Sequence, residues 1–146
     1  MNSHNPYAPP ASAVGDLEEI GSEEQIDALA VSDKWKERFK AIQRAGGVKF
    51  PNLKSMPRKE RRKAYRFNAL AFLFGPIYYM AKGMWRKGLS LFFVCALVVV
   101  VLSIALELCG FGKFANALGY GVSAIFAMRA NIDFYKKMVL HENGWW

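Results

Sequence analysis

The chain has 146 residues, 53% hydrophobic and 22% charged, with a formal net charge of +8 and a mean hydropathy of +0.05. That length holds one domain, or one small domain with tails. The charge is sorted: residues 1–33 carry seven acids and no Lys or Arg, residues 34–87 sixteen Lys/Arg and two acids, and residues 88–146 four and three. This sorting argues against an ordinary soluble domain with a mixed surface.

Residues 1–21 are rich in Pro, Ser, Ala and acids, which predicts a disordered acidic tail. They contain no basic n-region and no apolar h-region, so no secretory signal is expected. Residues 22–54 predict cytoplasmic amphipathic helices. Ser22-Glu23-Glu24-Gln25 has the form of a capping box, which starts a helix near Glu23 with Ile26, Leu29 and Ala30 on one side. A second helix starts near Ser32 or Asp33 and stops at Gly46-Gly47. Its Trp35, Phe39 and Ile42 fall on one face, and Lys34, Lys36, Glu37, Lys40 and Arg44 cover the remainder. A basic helix with an aromatic stripe either lies on an anionic membrane surface or packs that stripe against another helix of its own chain. The sequence favours neither.

Residues 55–146 predict a membrane domain that opens with basic and interfacial helices over 55–87. Ser55 as cap and Pro57 in the first turn start a helix that enters the Phe67 stretch directly. It carries Arg58, Lys59, Arg61, Arg62, Lys63 and Arg66. Alone, such a cluster resembles a nucleic-acid patch. Immediately before an apolar segment it marks a cytoplasmic boundary and attracts anionic lipid head groups, at ~1 kcal/mol per charge. With Lys82, Arg86 and Lys87 it forms a predicted lipid and topology cluster; anionic lipids are the expected partners, and nucleic acid is not.

Phe67 to Ala81 is uncharged over fifteen residues but interrupted by Gly75-Pro76. Gly ends helices and Pro begins them, so two short helices meet there. Tyr78, Tyr79 and Trp85 belong to the aromatic set enriched at membrane interfaces. If this pair spans, Lys82, Arg86 and Lys87 lie opposite the Arg58–Lys63 run. If it is interfacial or re-entrant, nineteen Lys/Arg are cytoplasmic and Lys113 alone is outside. The positive-inside rule prefers the second arrangement, with both termini cytoplasmic.

Gly88 to Leu106 runs nineteen residues without a charge. At ~1.5 Å per residue that helix covers ~28 Å, close to the ~30 Å hydrocarbon core. This predicts a transmembrane helix over 88–108. Phe114 to Met128 is uncharged over fifteen residues, and Phe111, Gly112 and a snorkelling Lys113 extend it to a second span over 112–130. The short connection Glu107–Lys113 makes the two an antiparallel hairpin, with 131–146 as a cytoplasmic tail. Ala115, Gly119, Ser123 and Ala127 recur every four residues, a stripe that lets two backbones approach in lipid. Cys95, Val99 and Ser103 offer a matching stripe, within one chain or between chains. A homo-oligomer or a partner membrane protein follows from the second case.

Reactive chemistry is sparse. Cys95 and Cys109 are ~21 Å apart on one helix, beyond the ~7 Å limit for a disulfide. His4 and His141 have no ligand cluster at metal spacing. No nucleophile elbow, Walker loop or dinucleotide fingerprint occurs in a fitting context. The expectation is therefore an all-α, non-enzymatic membrane protein without a cofactor, binding lipid or a partner protein. A small transporter or channel subunit is the alternative.

The run Phe67-Asn68-Ala-Leu-Ala-Phe72-Leu-Phe74-Gly75-Pro76-Ile-Tyr78-Tyr79, continuing through Met84-Trp85 to Gly88, resembles the signature of a family of small bacterial inner-membrane proteins catalogued as a domain of unknown function. Ser32–Trp35, Phe39 and Ala45–Gly47 upstream, and Arg129–Asn131, Tyr135 and Asn143–Trp145 downstream, extend the likeness. Asn5–Pro10 is similar to N-terminal motifs of several bacterial membrane families. The resemblance covers about residues 34–145 and implies a location in the bacterial inner membrane. It implies no activity, and Asn131 and Tyr135 enter, like the central block, as signature positions without a role.

Overall fold

The Ser22 hydroxyl accepts the Gln25 N–H at 3.2 Å, and this cap starts helix α1 (Glu23–Ala28). The computed structural model describes residues 22–146; the predicted disordered tail, with His4 and the Asn5–Pro10 motif, lies outside them. Helix α2 (Asp33–Arg44) buries Phe39 and Ile42 and half-buries Trp35. The Trp35 ring lies 4.7 Å from that of Phe134, and Phe39 lies 5.7 Å from both Phe134 and Tyr135. The aromatic stripe therefore packs inside the chain. The polar side of α2 holds α1, with Lys40 2.7 Å from Asp27 and Arg44 2.7 Å from Glu23. These pairs are exposed and add little, about 0.2–1 kcal/mol each.

Helix α3 (Arg58–Ala64) follows, and two local expectations fail there. The Ser55 hydroxyl donates to Asn52 O at 2.8 Å instead of capping the helix, and Pro57 takes the cap position. The helix also stops at Tyr65 instead of running into the apolar stretch. Asn68 is the reason: its Oδ1 accepts the Ala71 N–H at 3.1 Å and starts a separate helix, α4 (Ala69–Phe74). Gly75, at φ +46°, then turns the chain into α5 (Pro76–Ala81), so the break falls where Gly-Pro places it.

Helix α6 (Trp85–Leu108) is long and apolar enough to cross a membrane, and it alone among the described residues. Cys109 and a left-handed Gly110 reverse the chain, and α7 (Ala117–Met138) returns against α6. The hairpin is present as a pair of helices, but two spans are not shown. Arg129, Asp133, Lys136 and Lys137 make the last part of α7 too polar for the bilayer. Residues 131–138, expected in a tail, are helical, and Asn131, Asp133, Phe134 and Tyr135 among them are buried. The described residues contain no strand.

The core lies where α1, α2, α4, α5 and the second half of α7 converge, around Ile26, Phe39, Ile42, Tyr79, Met84 and Phe126, all fully buried. Residues 67–81 double back there. The Asn68 amide donates to the Tyr78 hydroxyl at 3.0 Å, and the Lys82 ammonium lies 4.8 Å from the Phe134 ring centre. A straight helix over those fifteen residues would part its ends by ~22 Å.

Gly88 fixes how α5 meets α6. A Cβ there would stand 2.7 Å from the Tyr79 Cβ, which Tyr79, fully buried, has no room to relieve. Ala is the better helix former by ~1 kcal/mol, whereas overpacking costs about 1–3 kcal/mol. Gly88→Ala is thus expected to lower the melting temperature in detergent. An unchanged or higher value would show that α5 and α6 separate at little cost.

Candidate functional site

Asn131, on α7, gathers three segments. Its Oδ1 accepts from the Arg38 guanidinium at 2.9 Å and from the Asn68 amide at 3.0 Å, and its Nδ2 donates to Arg66 O. Both asparagines are buried and fully engaged, as buried polar groups must be to avoid a desolvation penalty. Arg38 also stacks over the Trp35 ring, 4.4 Å from its centre. Partial burial and the nearby charge of Arg66 hold Arg38 below the usual arginine range.

A second buried polar contact lies deeper. The Tyr79 hydroxyl donates to Asp133 Oδ2 at 2.9 Å, and Arg129 Nε approaches the same oxygen at 3.7 Å. Burial and the Asp133 charge push the Tyr79 phenol far up; burial also raises Tyr78 and Tyr135. The C-terminal segment is strapped over this region. Lys87 donates to Glu142 O at 2.8 Å, Asn143 to Gly83 O at 3.3 Å, and Trp145 meets the Trp85 ring edge-on at 5.9 Å.

Outside the Asn131 hub, α2, the end of α3 and the start of α4 enclose a cleft of about 390 Å³. Lys34, Arg38, Lys63 and Arg66 line it, together with Glu37, Phe67 and Leu70. Glu37 accepts from Lys63 at 2.9 Å, and that bond holds its carboxyl below the usual carboxylate range. Phe67 and Leu70 of the lining are exposed, as are Leu73, Phe74 and Ile77 farther along the chain, Leu73 by 72%.

The signature positions divide accordingly. Asn68, Gly75, Tyr78, Tyr79, Met84, Gly88, Asn131 and Tyr135 are buried together in the body; Phe72 and Pro76 are half-buried; Phe74 and Trp85 remain exposed. Tyr78 and Tyr79 thus sit in the core, not in an interfacial aromatic belt, because each phenol has its partner inside.

The basic cluster also divides. Arg58, Lys59, Arg61 and Arg62 are exposed on α3, Lys63 pairs with Glu37, Arg66 faces the cleft, and Arg86 lies over the exposed Trp85 ring. Lys82 sits against Trp35 and Phe134. Lys87 is 3% exposed and bonded to Glu142 O, so it is a buried strap contact and no surface cation. In the small-residue stripe, Ala127 is buried, Ala115 and Ser123 are half-buried, and a Cβ on Gly119 would meet nothing within 4 Å. The Ala127 carbonyl accepts the Asn68 N–H at 3.3 Å, so that end of the stripe serves α4. Close packing of the two helices at Gly119 is not found within the chain.

Sequence reasoning missed Arg38 and Asp133. Arg38 follows Trp35 by three residues, so a charge on the apolar face was the available signal. Asp133 follows Arg129 by four and is the one acid between positions 108 and 141.

No solved structure matches the chain. "Uncharacterized protein YigF" of Salmonella typhimurium strain LT2 is 30% identical over 127 residues, covering 82% of this chain and 94% of the relative; its Salmonella typhi counterpart gives the same values. The model of the family described as "Protein of unknown function (DUF2628)" matches residues 23–139. The chain belongs to the DUF2628 family.

Proposed function

We propose that this protein is a non-enzymatic constituent of the bacterial inner membrane that binds anionic lipid, or a partner membrane protein, with its basic cytoplasmic body. The bare apolar helix carries this reading. Of the most apolar stretch of α6 only 11% is buried, and Phe93, Leu97, Val98 and Val101 are exposed in sequence along it. A patch of that extent has no place in water.

In this reading α6 and the first part of α7 form the two-span hairpin, with Glu107–Lys113 outside and both termini in the cytoplasm. The doubling back of residues 67–81 favours an interfacial or re-entrant pair, because a third span would separate Phe67 from Lys82 across the bilayer. Sixteen Lys/Arg before Gly88 then lie on the cytoplasmic side, and those exposed on α3 face the anionic leaflet. Asn68 bonds Asn131 and Tyr79 bonds Asp133, an arrangement suited to holding a shape.

The test is extraction followed by reconstitution. The protein should stay in the membrane pellet through alkaline carbonate and high salt, and purified protein in liposomes should leave ion and small-solute permeability unchanged. Release by carbonate would overturn the membrane reading, and a specific, saturable flux would replace the binding role with a transporter or channel subunit.

A further inference from the structure

We propose that the cleft between α2 and the Arg66–Leu70 segment binds the phosphate of an anionic phospholipid, with the acyl chains lying along the exposed face of α4 and α5. This rests on the membrane reading above and names the site and the ligand chemistry within it.

Of the four cations lining the cleft, Lys63 is paired with the single acid, Glu37. Lys34, Arg38 and Arg66 have no carboxylate partner among the described residues. Arg38 gives one donor to Asn131, a neutral side chain, and the Arg66 backbone is tied to the same asparagine. Asn131 therefore holds the Arg38 guanidinium and the Arg66 backbone at one cleft. The Arg66 charge lies near enough to act against that of Arg38, and a phosphate between them removes that cost with paired N–H···O bonds. Arginine suits this work because it stays charged when half-buried and offers a planar fork.

The neighbouring surface selects the rest of the ligand. Phe67 and Leu70 form part of the cleft wall, and Leu73, Phe74 and Ile77 continue from it, each more than half exposed. A soluble phosphate leaves this face in water; a phospholipid covers it. The volume of about 390 Å³ lies within the usual ~300–1,000 Å³ range of ligand clefts, enough for a head group while the chains stay outside.

Full-length protein in neutral detergent, titrated with dioctanoylphosphatidylglycerol and followed by melting temperature and calorimetry, tests the assignment. The lipid should bind saturably. Lys34→Gln with Arg66→Gln should weaken it by about tenfold or more, since each lost contact is charge-assisted. Arg58→Gln with Arg61→Gln removes the same charge from exposed α3 positions outside the cleft and should change binding by no more than about twofold. Inorganic phosphate and sn-glycerol 3-phosphate should compete only weakly. Equal loss in both variant pairs would overturn the cleft while leaving a diffuse attraction to the membrane intact. Binding of either soluble phosphate as tightly as the lipid would overturn the lipid as occupant, and the absence of saturable binding would overturn the site altogether. None of these failures touches carbonate extraction, on which the membrane reading stands.

Discussion

Asn131→Leu should lower the stability of the folded body by about 2–4 kcal/mol, through the donors it leaves buried without partners. Three groups lose their bond at once: the Arg38 guanidinium, the Asn68 amide and Arg66 O. Asn68 keeps the Tyr78 hydroxyl, and Arg38 can reach water at the cleft, so the loss falls short of the full sum. Leucine has as many side-chain heavy atoms as asparagine and leaves no cavity, which separates the polar effect from a void. Arg38→Met should cost less in the Asn131→Leu background than in the parent, because removing both partners of a buried bond is cheaper than removing one. Denaturation in detergent gives all three values; additive losses would mean that Asn131 and Arg38 do not act through their bond.

Leu97→Arg separates a membrane helix from an exposed soluble one. Leu97 lies near the middle of the uncharged run and is 66% exposed, so the change disturbs no core contact. In a bilayer, exchanging Leu for Arg at a helix centre costs about 3–4 kcal/mol of insertion free energy. The variant should leave the membrane fraction in large part or be degraded, while the body of α1–α5 keeps its contacts. In water the same exchange is neutral or helps solubility, and unchanged membrane recovery would speak against insertion of α6.

The parts of this fold legible in the sequence are those fixed by neighbours along the chain. The Ser22 cap needs only Gln25, the Gly75-Pro76 break needs two residues, and the length of α6 follows from an uncharged run. The parts that were not legible depend on distant partners. Asn131 meets Asn68 at a separation of 63 residues and Arg38 at 93, so no local pattern reveals that it is a hub. Its position in the resemblance marked it without a reason. The Trp35 stripe suits membrane or core equally by its own pattern; what decides it is Phe134 and Tyr135, which lie in a stretch whose charges, Arg129, Lys136 and Lys137, give it the composition of a tail. Lys87 misled in the same way, since its burial depends on the carbonyl of Glu142.

The proposed topology is tested most directly by thiol labelling in intact spheroplasts with a membrane-impermeant reagent. Cys109 is exposed at the turn after α6, and position 141 lies just beyond α7 at the other end. With both termini cytoplasmic and residues 67–81 interfacial or re-entrant, Cys109 should be labelled at once. A cysteine at position 141, in a Cys109→Ser background, should be labelled only after permeabilisation. Labelling of position 141 in sealed spheroplasts, with Cys109 protected, would contradict the account by inverting the hairpin.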